Sequence, residues 1–273
     1  MRNLLSDLRH ALRGLRAHPA FSVTAILTLA LGIGLTTTIF GVVNGIVLLP
    51  LPFPNAGRLI TICEQHPGAT ADWCSVSPPN IEDVAARSRS IDALGIGRTW
   101  SYHLATTEGS ESVYSGIATP GMFRALGVRP ELGRLIESSD LIGRESSIAL
   151  LTHEMWQTRF GAAKDIVGRV IALDGQPVTI VGVLPPGFEV PPFEGVQLWR
   201  PVHINPRDET HRDWPGFVAY GRIREGVSID AARADLAGVA EQIRLEHFAT
   251  TPHWGLQLKS LQDLVIGGVK PVL

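Results

Sequence analysis

An uncharged run near the N-terminus constrains the fold of this 273-residue chain more strongly than its other features do. No Asp, Glu, Lys or Arg occurs from Ala20 to Gly57, and the 30 residues from Ala20 to Leu49 are mostly apolar. About 20 apolar residues are enough for a helix to span a bilayer. The alternative, a cleaved signal peptide, has an apolar region of only ~7–15 residues. Because the run is longer and lacks a small-residue cleavage pattern, residues 20–49 are predicted to form an uncleaved transmembrane helix.

The charges before this run predict its orientation. Arg2, Arg9, Arg13 and Arg16 are opposed by Asp7 alone, and positive flanks remain in the cytoplasm. The N-terminus is therefore expected to be cytoplasmic and the rest of the chain to be exported.

Residues 1–19 read as a cytoplasmic amphipathic helix that lies on membrane lipid. Their leucines share one face, and the basic face opposite carries Arg2, Arg9, Arg13 and Arg16. The alternative is a topology signal without persistent structure.

The predicted transmembrane helix has a stripe of small residues, which we call the small-residue stripe. Its members are Ala30, Gly34, Thr38, Gly41 and Gly45. Such residues let a second helix approach closely in lipid, so the stripe is predicted to be a helix-packing surface. The alternative is that the stripe only reflects how common Gly and Ala are in membrane helices. A homodimer through this helix is left open.

The exported part has a mildly acidic balance, since removing the four arginines and one aspartate from the totals leaves 20 basic and 25 acidic residues. Such a charge gives no indication of nucleic-acid binding. Cys63 and Cys74 both lie in this part, where an oxidising compartment permits a disulfide. Two free buried thiols are the alternative, and spacing alone leaves both open.

Strand and helix patterns alternate in the exported part, which predicts an α+β fold. Ser77, Thr119, Thr152 and Ser228 each precede a helical pattern as predicted N-caps. Two β-rich runs around Asp174-Gly175 predict a hairpin. The polar stretch 205–213 is predicted to be a solvated loop. The six tryptophans are spread over separate elements, so we expect core and rim packing instead of a binding groove.

We find no pattern that predicts catalysis. The chain lacks G-x-S-x-G, H-E-x-x-H, C-x-x-C and Walker A motifs, and its nine histidines are scattered. The sequence therefore predicts a protein that is not an enzyme, without a cofactor or a metal site.

Six stretches in order resemble the MacB-type ABC transporter permeases, most closely the N-terminal half of the duplicated ADOP permeases. They are Leu48–Pro54, Ser77–Asp83, Phe123–Pro130, Trp156–Gly161, Ile166–Arg169 and Asp174–Phe188. The resemblance covers essentially the whole chain.

The resemblance implies a MacB-like periplasmic core domain over 55–265, held at the bacterial inner membrane. Two β-α-β units would form a porter-like part at 58–130 and 215–265, and 131–214 would be an inserted β-rich subdomain. Residues 266–273 would be a truncated lead-in to a second transmembrane helix. We therefore expect a fragment or a chain that acts with a second polypeptide.

The implied function is that of a permease subunit, or its N-terminal part, in an ABC-type efflux or lipoprotein-extracting system. Its periplasmic domain would transmit motion driven by a separate ABC ATPase. The implied partners are that ATPase, the remaining permease helices and membrane lipid. The main alternative is a single-pass extracytoplasmic binding or sensor module; a membrane-anchored enzyme is third.

Overall fold

The computed structural model describes residues 10, 13, 15–17, 19–47, 52–65, 74–141, 147–204, 212–248 and 254–267, with the backbone alone at 39–47 and 265–267. The chain forms two compact units, Met1–Pro50 and Leu51–Leu273.

The first unit contains a long apolar helix, α1 (Pro19–Val47). Its segment Pro19–Thr38 is the one stretch among the described residues that is long and apolar enough to cross a membrane. Threonine hydroxyls in α1 donate to carbonyls one turn earlier, as Thr28 does to Thr24 and Thr38 to Gly34, each at 2.8 Å. The helix therefore satisfies these polar groups internally, as a lipid environment requires.

The second unit is a mixed fold of helices and strands, as the sequence predicts. Its described helices are α2 (Pro78–Arg87), α3 (Pro120–Leu126), α4 (His153–Phe160), α5 (Ile229–His247) and α6 (Leu261–Gly267). Its described strands are β1 (Leu59–Gln65), β2 (Ile91–Thr106), β3 (Gly109–Ala118), β4 (Leu132–Gly133), β5 (Ile148–Leu151), β6 (Val170–Leu173), β7 (Gln176–Val183), β8 (Leu198–Pro201), β9 (Val218–Ile223) and β10 (Gly255–Ser260).

One end of the sheet has the strand order β10-β1-β9-β2, with neighbours antiparallel. The segments β1-α2-β2 and β9-α5-β10 are therefore two β-α-β units whose parallel strands interleave, a split β-α-β arrangement. Both helices pack on the same face, because Val84 of α2 and Ile243 of α5 share a buried cluster with Ile62 and Ile96. Non-local strand pairing thus joins the two chain segments into one layer.

The long strand β2 also belongs to a second assembly. Its C-terminal half pairs with β3, and the path β3-β8-β5-β7-β6 returns to β2 at Leu104–Leu173. Strands β5 to β8, from 131–214, thus combine with β2 and β3 in a closed, barrel-like layer of six strands. This layer is continuous with the β10-β1-β9-β2 layer through β2. Its interior is a separate cluster that includes Val113, Leu151, Met155 and Ile180.

A third cluster, which we call the aromatic cluster, lies on the opposite face from α2 and α5. It contains six large rings: Phe53, Phe123, Phe188, Phe193, Trp199 and Tyr220. Phe193 and Trp199 meet edge to face with ring centroids 5.3 Å apart. Leu261, the first residue of α6, is fully buried in the same cluster. Phe53, near the start of the second unit, and Leu261, in its last described helix, therefore share one core.

Two glycines explain how closely α3 approaches β2. A Cβ at Gly95 would overlap the backbone nitrogen of Met122, and one at Gly121 would overlap the carbonyl of Leu94. Gly95 lies within β2, and this close approach of α3 is the packing reason for a glycine there.

The predicted turn and capping chemistry is confirmed at three of five positions. Asp174 and Gly175 both have positive φ in a two-residue hairpin loop between β6 and β7. Thr152 accepts a hydrogen bond from Met155 N, and Ser228 accepts one from Ala231 N.

At Ser77 and Thr119 the N-cap position is right, but neither side chain makes a capping hydrogen bond. Ser77 donates to Glu64 instead, and Thr119 accepts from Ile96 N. Tertiary partners compete successfully for these hydroxyls.

Candidate functional site

The small-residue stripe lies along α1. Ala30, Gly34 and Thr38 are exposed, and nothing lies within 4 Å of the space that a Cβ would fill at Gly34. Gly41 and Gly45 are helical, and the structure describes their backbone only. The stripe remains a predicted packing surface. On the predicted basic face, Arg13 and Arg16 are helical and exposed, while Arg2 and Arg9 lie outside the described residues.

Cys63 and Cys74 form a disulfide in the structure, with their Cα atoms 4.6 Å apart. Cys63 lies on β1 and is buried, and Cys74 begins the segment that leads into α2. The backbone of the next residue on each side is also paired, since Glu64 N donates to Ser75 O at 3.0 Å. The disulfide thus reinforces an existing strand-like contact. Its formation in the oxidised protein remains a prediction.

A buried polar network continues from this point into α2. The carboxylate of Glu64, which is 4% exposed, accepts from Ser77 N at 2.7 Å and from Asn80 Nδ2 at 3.0 Å. Arg212 donates to Asn80 Oδ1 at 2.9 Å and to Asp83 Oδ2 at 2.7 Å. Burial of charge is tolerated here because each ionised group is hydrogen-bonded.

The burial of Arg212 contradicts the prediction that 205–213 is a solvated loop. Arg212 is 7% exposed because its guanidinium reaches Asn80 and Asp83 on α2. Residues 205–211, with the predicted solvated carboxylates Asp208 and Glu209, lie outside the described residues.

A cleft of about 730 Å³ opens where β2 and the residues before β9 diverge. Arg98 and Thr99 form one wall, and Gly216 and Phe217 form another. Phe193 reaches the cleft from the aromatic cluster. A volume of this size falls within the range of ligand sites, and its walls are mainly apolar.

Tyr220 anchors the loop that carries Phe193. The buried hydroxyl of Tyr220 donates to the carbonyl of Pro191. Burial raises the pKa of Tyr220 well above its ordinary value, with the charge of Glu194 acting in the same direction. The phenol therefore stays a hydrogen-bond donor, and this wall of the cleft is preorganised.

Arg98, which lines the cleft together with Glu194, is its cationic group. Its guanidinium carbon lies 4.8 Å from the ring centre of Trp214, 5.5 Å from that of Trp100 and 5.9 Å from that of Phe217. Cation–π contacts of this kind favour the charge and fix its position. Within the described residues, no carboxylate oxygen lies within 4.0 Å of Arg98.

The tryptophans only partly follow the prediction of core and rim packing. Trp156, Trp199 and Trp254 are buried, whereas Trp100 is 45% and Trp214 46% exposed beside Arg98. Trp73 lies outside the described residues. Sequence reasoning missed this group, although Arg98 and Trp100 are two positions apart in a strand and must share a face.

In the part of the chain that the structure describes, no group of three or more His, Cys, Asp or Glu side chains could hold a metal ion. The described residues thus present a binding-type cleft and no candidate metal centre.

Comparison with protein families gives a match that spans most of the chain. The family model for the MacB-like periplasmic core domain matches residues 22–239, from within α1 to within α5. The chain belongs to this MacB-like family. The resemblance read from the six sequence stretches is thereby confirmed. A comparison with curated proteins gave no significant match.

Solved structures show the same fold as this MacB-like domain. A domain of a protein described as a permease, from Porphyromonas gingivalis, has a TM-score of 0.57 at 16% identity and covers 76% of this chain and 92% of its own. The periplasmic region of MacB from Actinobacillus actinomycetemcomitans has 0.53 at 13%, over 79% and 94%. The extracellular domain of the ABC-type transporter YknZ from Gram-positive bacteria has 0.51 at 15%, over 74% and 99%. The MacB-like domain thus shares its fold with these three domains.

We expect the disulfide of the MacB-like domain to stabilise it measurably. In the chain-entropy model, closing a loop of this length contributes roughly 2–3 kcal/mol. The variant with both Cys63→Ser and Cys74→Ser should therefore melt roughly 4–12 °C lower. Mass spectrometry of unreduced, alkylated protein gives the direct measurement. Finding both native thiols alkylated would show that the bridge does not form.

Proposed function

We propose that this chain is the N-terminal part of an ABC-type permease subunit whose extracytoplasmic domain transmits motion driven by a separate ATPase. The observation that carries the proposal is the family match, because it spans the apolar helix and the domain together. A domain of this kind would act mechanically, so no catalytic residue is assigned to it.

The packing of the second unit supports a mechanical role. Phe53 at its start and Leu261 at the start of α6 are both buried in the aromatic cluster. Close-packed protein interiors have low compressibility and transmit strain. A displacement applied at Phe53 or at Leu261 would therefore be transmitted to the aromatic cluster and to the strands that it packs on.

The sheet order supports the porter-like division that the resemblance implies. We propose that 58–130 and 215–265 form the porter-like part, since β1, β2, β9 and β10 come from these segments and lie side by side. The insertion 131–214 would then supply β5 to β8, which complete the barrel-like layer with β2 and β3. In this arrangement β2 is the physical link between the two parts.

We further propose that the helix crosses the bacterial inner membrane, with residues 1–19 cytoplasmic and the MacB-like domain periplasmic. The basic flank before α1 and its uncharged length support this topology. The ATPase partner would then act from the cytoplasmic side, through helices that this chain contacts within the membrane.

The test is association with the products of neighbouring reading frames. We expect the full chain to co-purify with the permease helices and the ATPase encoded beside it. Gly41→Leu should weaken this association at least about fivefold, equivalent to ~1 kcal/mol, because a side chain on the small-residue stripe holds the helices apart. The measurement is the fraction of each partner retained on the tagged chain in detergent.

Val42→Leu is the matched control, since position 42 lies about 100° further around the helix. It should leave co-purification unchanged. If the chain is recovered without either partner, the single-pass binding or sensor module replaces the permease as the favoured function. The cleft beside Arg98 is the observation that supports that second candidate.

A further inference from the structure

Strand β2 has one fully paired edge and one interrupted edge. Along the first edge it pairs with β3 continuously from Gly97 to Thr106. Along the second edge it pairs with β9 as far as Gly97–Val218, and with β6 at Leu104–Leu173. Of the residues between these two points, Arg98 and Thr99 line the cleft described above.

The pairing pattern identifies which backbone groups face the opening. Thr119 N donates to Ile96 O, so Ile96 is hydrogen-bonded on the β3 side. Antiparallel ladders alternate, and Thr99 and Ser101 must therefore point their N–H and C=O groups to the other edge. Asp174 N donates to His103 O on that same edge, which agrees with the alternation.

Thr99 and Ser101 have no strand partner on this edge among the residues that the structure describes. Trp100, Ser101 and His103 are exposed here. Six residues, 98–103, separate the two paired points, or roughly 20 Å of strand at ~3.3 Å per residue. A short extended segment could therefore hydrogen-bond to this edge as an additional strand.

The surroundings of the edge specify what such a segment should carry. Phe193 and Phe217 line the cleft from two different core clusters, and they are 4% and 6% exposed. Arg98 offers a cation that lies against three aromatic rings and makes no ion pair within 4.0 Å among the described residues, and Glu194 lines the same cleft. Alternate residues of an extended peptide point to one side, so an apolar residue and a carboxylate can both be recognised.

We propose that the interrupted edge of β2 binds an extended peptide segment of a partner protein by β-strand addition. The segment pairs with the backbone of Thr99 and Ser101, places an apolar side chain in the cleft and sets an Asp or Glu carboxylate on Arg98. This peptide site does not depend on pairing of the chain with an ATPase.

The test begins with selection of random heptapeptides on the full chain in phosphatidylcholine nanodiscs, with empty nanodiscs as the background. Recovered peptides should alternate apolar and polar residues and contain Asp or Glu. Their affinity is then measured by fluorescence anisotropy. Failure to enrich any peptide above the background would overturn the proposal.

Thr99→Pro is the informative variant, because it removes the outward N–H without touching the β3 ladder. Loss of that hydrogen bond and the added steric bulk should lower peptide affinity about tenfold. Arg98→Gln should lower it roughly three- to tenfold through loss of the charge-assisted contact. Thr107→Pro, in the turn between β2 and β3, is the matched control and should have no effect.

A measurement on the native protein gives a result that does not depend on whether the variants fold. N-methylation of the peptide amides that face β2 should abolish binding, whereas methylation of the alternate amides should be tolerated. Equal effects of the two patterns would exclude strand addition. A site for amphiphiles would instead bind dodecanoate with an affinity unaffected by Thr99→Pro, and that result would also overturn the peptide assignment.

Discussion

Replacing Glu64 by Ala is expected to lower the free energy of unfolding of the MacB-like domain by about 3 kcal/mol. The substitution leaves the Ser77 N–H and the Asn80 amide buried without the carboxylate that they now contact at 2.7 and 3.0 Å. Each buried donor left unpaired costs about 1–3 kcal/mol. The melting temperature of the full chain, followed by intrinsic fluorescence, should fall roughly 6–12 °C.

Two further variants distinguish the effect of losing the buried hydrogen bonds of Glu64 from the effect of losing a charged side chain at an exposed position. Glu64→Gln keeps the Oε1 acceptor that both donors share and should therefore lose much less stability. Glu246→Ala removes the partner of Arg87 on the exposed surface, where water already competes for both charges, and should change the melting temperature very little. Equal losses for Glu64→Ala and Glu246→Ala would show that burial of the network contributes nothing.

Replacing Arg222 by Ala is expected to cost about 2–4 kcal/mol, because a buried cation and its hydrogen bonds are lost together. Arg222 is 8% exposed, and it donates to Ala125 O at 2.7 Å and to Pro54 O at 2.9 Å. It thereby fastens the segment that enters the domain to the last turn of α3. The melting temperature should fall roughly 4–16 °C.

The same variant should also loosen the entry segment locally. Burial lowers the pKa of Arg222, with Arg58 acting in the same direction and Asp92 opposing it, yet the guanidinium remains cationic at neutral pH. Hydrogen exchange at residues 52–58 should accelerate in Arg222→Ala before global unfolding does. Arg233→Ala, an exposed arginine on α5, is the control. Unchanged exchange at 52–58 would contradict the anchoring role of Arg222.

Local signals in the sequence predicted much of the fold. The Asp174-Gly175 turn, the caps at Thr152 and Ser228 and the long apolar run each depend on residues within a few positions of one another. Such features can be read from periodicity and turn chemistry, since the backbone geometry is decided within one or two turns of chain. The mixed fold of helices and strands followed from these elements.

Long-range contacts could not be predicted in this way. Ser77 and Thr119 occupy predicted N-cap positions, but Glu64 and the β2 backbone compete for their hydroxyls. Arg212 lies in a polar stretch and is nevertheless buried, because α2 supplies acceptors 129 and 132 residues earlier in the chain. Composition describes the stretch and carries no information about those partners.

The apolar helix that is able to span a membrane and the membership of the MacB-like family can both be recognised without a structure, because continuous stretches of residues encode them. The tertiary structure alone decided that β2 serves two layers and that its edge opens beside Arg98. Strand pairing joins residues more than a hundred positions apart, as Gly97 and Val218 show. No local pattern specifies where such a ladder ends, since that depends on how both strands pack.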